Sequence, residues 1–193
     1  MKKGLLIITF ILYLCLLFAC TPSVDSMSND QKEALARIDP CSVYTGDFFG
    51  LTREELFNKD KDVSQEIDDL NSPAFKKLNN YYGHPAELMF LFTGAKKTGT
   101  ATYVLSLDIN PTNIKIYRDI TSDLLLAFGS NYTMGPNPSA VQSNTSFTEQ
   151  DIVNALETKQ ISNFYIKWKQ RNTLQFNFAI LKNINSIQVV FGS

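Results

Sequence analysis

Phe164-Tyr165-Ile166-Lys167-Trp168-Lys169 alternates apolar and polar side chains, the period of a strand that buries one face. Leu174, Phe176, Phe178 and Ile180 continue that alternation, and Ile187, Val189 and Phe191 repeat it. Between these runs, Gln170-Arg171-Asn172 and Lys182 to Asn185 are short and polar, as hairpin connections are. Three strands sharing one apolar face, with short links, predict an antiparallel meander at the C-terminal end. Trp168, the single tryptophan, falls on the apolar face with Phe164 and Ile166 and is expected in the core.

Upstream of the meander, Thr148 with Asp151 three residues on reads as a helix start, with Phe147 placed to staple onto Ile152. Gly129 to Ser146 has no periodicity and carries Gly135, Pro136 and Pro138. An aperiodic stretch of that length in a compact domain is usually functional or mobile. Its isolated apolar residues, Tyr132, Met134 and Val141, are the candidate partner-binding residues; Tyr132 and Met134 lie two apart and would point the same way in an extended segment. A solvated connector is the competing reading. Glu87 to Thr93 reads as a buried central strand, and Thr100 to Leu107 as a strand with Ala101, Tyr103, Leu105 and Leu107 on one face. Asn113 to Arg118 reads as a third strand. Asp123 to Phe128 is either a fourth strand or a short helix, with strand preferred.

The N-terminal half reads as helical. Asn29 can cap a helix through Ile38, stopped by Asp39-Pro40. Thr52 caps a second, with Glu55 reaching back and Leu51 stapling onto Leu56. Pro73 opens a third that Gly83 closes, with Phe75, Leu78 and Tyr82 on one face. The expected class is α+β: N-terminal helices, then an antiparallel sheet of about six strands with one intervening helix and the three-strand meander.

The first twenty residues set the compartment. Lys2 and Lys3 precede an apolar run from Gly4 to Phe18, the layout of a secretory signal. Its close, Leu17-Phe18-Ala19-Cys20, resembles a bacterial lipobox. That resemblance implies removal of residues 1–19, lipidation of Cys20 and attachment to a membrane, held firmly because more than one acyl chain is added. Thr21 stands where lipoproteins kept in an inner membrane usually carry Asp, which implies an outer-membrane location facing the periplasm in a double-membraned bacterium. A transmembrane helix would need about 20 apolar residues and a basic stop, and an ordinary cleaved signal is the other alternative. Residues 20–28 read as the lipidated Cys and a polar tether, its last eight residues reaching about 28 Å when extended. Residues 29–193 read as a single domain.

The composition suits a folded module. Hydrophobic residues make up 44% and aromatics 12%, enough for a core. Without Lys2 and Lys3, 16 basic residues face 19 acidic ones, which argues against a nucleic-acid partner. Residues 25–70 hold 12 acidic and 5 basic side chains, whereas 163–193 hold Lys167, Lys169, Arg171 and Lys182 and no acid. Cys15 would leave with the signal and Cys20 would be acylated, so Cys41 would remain as a lone thiol, buried or paired with another chain.

The search for chemistry is mostly negative. His84 is the only histidine, so a His-based triad or metal cage has little to build on. Gly94 to Gly99 has phosphate-loop glycines, but Thr100-Ala101 stands where Lys and Ser/Thr are needed. Asn58, Asp60, Asp62, Ser64, Glu66 and Asp69 mimic calcium-loop spacing, yet Val63 occupies the glycine position. No catalytic residue, metal or cofactor is therefore assigned. The expectation is a membrane-anchored, non-enzymatic binding or assembly module of the cell envelope: a secretion or envelope accessory, or an immunity-type inhibitor with a protein partner. The alternative is a small periplasmic hydrolase, which would require a cleft joining His84 to Asp119 or Asp123.

Overall fold

The computed structural model describes residues 24–65, 72–94, 96–130, 132–135, 154, 163–168, 175–181 and 185–192. A 3-10 turn at Val24–Ser26 leads into helices α1 (Asn29–Ile38) and α2 (Arg53–Lys59). Strands β1 (Ala74–Tyr81), β2 (His84–Phe92) and β3 (Thr98–Ser106) follow, then helices α3 (Pro111–Ile114) and α4 (Ile116–Phe128). Strands β4 (Tyr132–Gly135), β5 (Asn163–Trp168), β6 (Gln175–Leu181) and β7 (Ser186–Gly192) complete the described elements. The class is α+β. Seven described strands form one sheet in the order β1-β2-β3-β7-β6-β5-β4, antiparallel at every pairing.

Two meanders meet where the last strand, β7, pairs with β3. Their registers line up the apolar residues: Phe90 opposite Ala101, Tyr103 opposite Val189, and Leu105 opposite Ile187. Because side chains alternate across a strand, a one-residue slip in any ladder would turn these residues to the other face. Helices α1 and α4 pack against each other, and Leu35, Ile38, Ile120 and Leu124 share one core with Phe90, Tyr103, Val189 and Phe191. Helices thus lie over the face on which the strands place their apolar residues. The described C-terminal strands pair as the alternation predicts, β5 with β6 and β6 with β7.

Local signals succeeded where side chains bond to their own backbone. Helix α2 starts at the Thr52 cap with its reciprocal Glu55 bond. Helix α1 covers Asn29–Ile38, but the cap is Ser28, whose hydroxyl accepts from Gln31 N while the Gln31 side chain accepts from Ser28 N. Ahead of it, Met27 is only 4% exposed and belongs to the core, so packing begins before Asn29.

Three expectations are corrected. Residues 74–81 are strand β1, not a helix. Tyr82 and Gly83 form a two-residue hairpin turn with positive φ, +50° and +84°, between the paired Tyr81 and His84. A glycine that ends a helix and one that closes a hairpin look alike in sequence, since both need positive φ. Pro85, which has no N–H to donate, sits where the β1–β2 register shifts between Leu78 and Tyr81. Next, residues expected as a strand at 113–118, and with strand preferred at 123–128, are helical: Asn110 caps α3 by accepting from Thr112 N and Asn113 N, Pro111 follows, and α4 runs to Phe128. Ile116, Ile120, Leu124 and Ala127 bury a helical stripe, and the short period-two match of Ile114 and Ile116 was incidental. Finally, β2 buries only one face: Ala86, Leu88 and Phe90 are inside, while Glu87 is exposed and Leu91 is 38% exposed. The helix expected at Thr148 lies outside the described residues except for Asn154, which is helical. Among the described residues no helix is long and apolar enough to cross a membrane.

Candidate functional site

The end of α1 is tied to the sheet by a buried carboxylate. Asp39 is 3% exposed. It accepts hydrogen bonds from Val43 N (2.8 Å), Tyr44 N (2.7 Å) and the Tyr103 hydroxyl (2.6 Å). The Tyr103 oxygen in turn accepts from Cys41 N at 3.1 Å, and the Tyr81 hydroxyl donates to the Ile38 carbonyl at 2.9 Å. The Tyr81 and Tyr103 rings stack with centroids 4.9 Å apart. Burial pushes the Asp39 carboxyl up in pKa, and its three donors oppose that shift only in part.

Beside this knot lies a cleft of about 350 Å³ lined by Ala36, Arg37, Pro40, Asn80, Tyr82 and Gly83, with Tyr81 at its base. Its walls are the last turn of α1 and the β1–β2 turn. Arg37, whose side chain is 52% exposed, grips Asp123 of α4 in two places: Nε donates to Oδ2 at 3.0 Å and Nη2 to Oδ1 at 2.8 Å. The Tyr82 hydroxyl donates to the same Oδ2 at 2.8 Å. The hydrogen bond to Asp123 raises the Arg37 pKa, and burial, followed by the Asp123 carboxylate, raises that of Tyr82, so both remain donors. Asn80 is fixed too, its Oδ1 accepting from Gly83 N at 2.8 Å.

Two backbone carbonyls of lining residues lose their helical partners. Pro40 has no N–H, so the Ala36 carbonyl loses its helical partner. The Cys41 N–H goes to Tyr103, so the Arg37 carbonyl loses its own as well. Both oxygens of Asp123 are spent on Arg37 and Tyr82. The cleft therefore offers fixed donors around an aromatic ring, beside a carboxylate that already accepts three hydrogen bonds. Such a site suits recognition better than proton transfer.

The sequence candidates are scattered. Cys20 and Val141 lie outside the described residues. Tyr132 packs against the core, its ring 5.4 Å from that of Trp168, and Met134 stands opposite Ile166 in the β4–β5 ladder. Tyr132 is partly buried. His84 starts β2 and is not part of the cleft lining, while Asp123 borders the cleft through its bonds to Arg37 and Tyr82. Gly99 is a strand residue where a Cβ would collide with the Thr93 side chain, so close packing explains it. Asp60 and Asp62 pair with Lys76, at 2.7 and 3.6 Å. Cys41 is half-buried, and burial raises its thiol pKa. Among the described residues, no three His, Cys, Asp or Glu side chains gather as a cation site. Sequence reading missed Arg37, Asn80 and Tyr82. The turn chemistry of Asn80 to Gly83 was the one available signal; nothing local links Arg37 to Asp123, 86 positions away.

Compared with protein families, curated proteins and solved structures, the chain matches none.

Proposed function

We propose that the chain is a lipid-anchored, non-enzymatic binding module of a bacterial cell envelope, and that the α1–β1/β2 cleft is its recognition site. The observation that carries this reading is the Arg37–Asp123–Tyr82 network, which holds recognition groups rigidly while engaging the carboxylate a hydrolase would need free. The lipobox ending at Cys20 supports the anchor. Seven residue steps separate Cys20 from Met27, the first described residue in the core, so the link spans at most roughly 25 Å. A body held that closely works on components near the bilayer, as a secretion or envelope accessory or an immunity-type inhibitor would.

The test is a photo-crosslinking residue at Asn80 in the lipidated protein on native membranes, with the same group at Glu54 of α2 as control. A discrete adduct from Asn80 and none from Glu54 is expected. Equal labelling from both, or none from Asn80, overturns the site.

A further inference from the structure

We infer that the α1–β1/β2 cleft binds a neutral carbohydrate, one or two sugar rings of an envelope glycan. This rests on the reading of the cleft as a recognition site. At about 350 Å³ it lies at the small end of the range for small-molecule sites, roughly 300–1,000 Å³.

The electrostatics select against anions. The Arg37 charge is met by Asp123, and Glu33 and Asp119 add negative field on Arg37 and Tyr82 respectively, so a free anion finds no unanswered cation. A neutral hydroxyl meets no such repulsion.

The hydrogen-bonding inventory fits hydroxyl groups, each of which donates one bond and accepts two. Among the described residues, Arg37 Nη1 and Asn80 Nδ2 have no partner, because Arg37 uses Nε and Nη2 and Asn80 uses Oδ1. Ala36 and Arg37, whose carbonyls lack their helical partners, belong to the same lining. Tyr82 supplies a ring against which the C–H face of a pyranose can pack. Each of these side chains is locked before a ligand arrives: Arg37 by two bonds, Tyr82 by its hydroxyl, Asn80 by the turn. That preorganisation lowers the entropic cost of binding.

The backbone adds an independent observation. Tyr82 sits at φ +50° in the turn position that Gly, Asn and Asp favour. A bulky side chain held in left-handed conformation is strain of the kind found at ligand sites. Its ring and hydroxyl contribute to the cleft; Asn there would relax the turn and lose both.

Titration calorimetry of the full lipidated chain in a sugar-free detergent, with chitotriose, cellotriose and maltotriose as probes, tests this. At least one should give saturable binding that Arg37→Lys and Asn80→Ala each weaken at least ten-fold while both variants remain folded at the assay temperature, and that Glu54→Ala leaves intact. No binding by any of the three, undiminished binding in both cleft variants, or cleft-dependent binding of trilysine or triglutamate instead would overturn the inference. If the Asn80 crosslink forms while every sugar fails, the ligand class is wrong and the recognition site stands. If the crosslink fails as well, both fall.

Discussion

Trp168 is 1% exposed, and its Nε1–H donates to the Gly129 carbonyl at 2.8 Å. One side chain thus fills the core and ties β5 to the end of α4. Truncation to alanine should cost about 3–5 kcal/mol, a shift of roughly 6–20 °C in Tm for a domain of this size. Unchanged melting of Trp168→Ala in a thermal scan would remove Trp168 from the core. Asp39 makes a different prediction. Burial raises its carboxyl above the ordinary value of 3.8, so the folded chain holds that proton more tightly than the unfolded one. The stability this contributes is complete below pH 3.8 and is lost as pH rises through the folded-state value. Asp39→Asn has no such proton, and it also sets an amide donor against backbone N–H groups, at a cost of about 1–3 kcal/mol. Denaturation across mildly acidic pH should show wild-type stability declining relative to the variant. Parallel profiles would exclude Asp39 as the source.

The start of α2 was legible because its cap is written within four residues: Thr52 and Glu55 needed nothing from the rest of the chain. Strand β1 was not legible. Ala74 and Tyr81 are buried at its ends, but Lys76 lies between them with its ammonium on Asp60, so the alternation that marks a strand is broken by an ion pair made 16 residues away. The β1–β2 turn then depends on backbone conformation. Gly83 has φ +84° and open space where a Cβ would go, so Gly83→Ala should cost about 1–2 kcal/mol through conformation alone. Urea unfolding measures it, and a variant as stable as wild type would mean the turn adopts another type. Helix α4 taught the converse: Ile116, Tyr117, Ile120 and Leu124 carry a helical stripe, and a window of six residues was too short to separate it from alternation.

For the molecule as a whole, location and fold rest on different information. If Cys20 carries the anchor, Cys20→Ser should abolish palmitate labelling and release the chain from membranes while leaving its melting temperature unchanged, because the core among the described residues starts at Met27. Labelling that survives the substitution would refute the lipobox reading, and inner-membrane fractionation of the wild type would refute only the sorting. The Thr52 cap, the α+β class and the pairing of the C-terminal strands were determined by the sequence alone, because each is a pattern among residues close together in the chain. The joining of two meanders through β3 and β7, the hairpin at Tyr82-Gly83 and the cleft were decided only by tertiary structure. Arg37, Tyr82 and Asp123 come from α1, a turn and α4, and they meet because the helices and the β1–β2 hairpin are brought together around the same core. Burial fixes that meeting, and burial is a property of the folded whole.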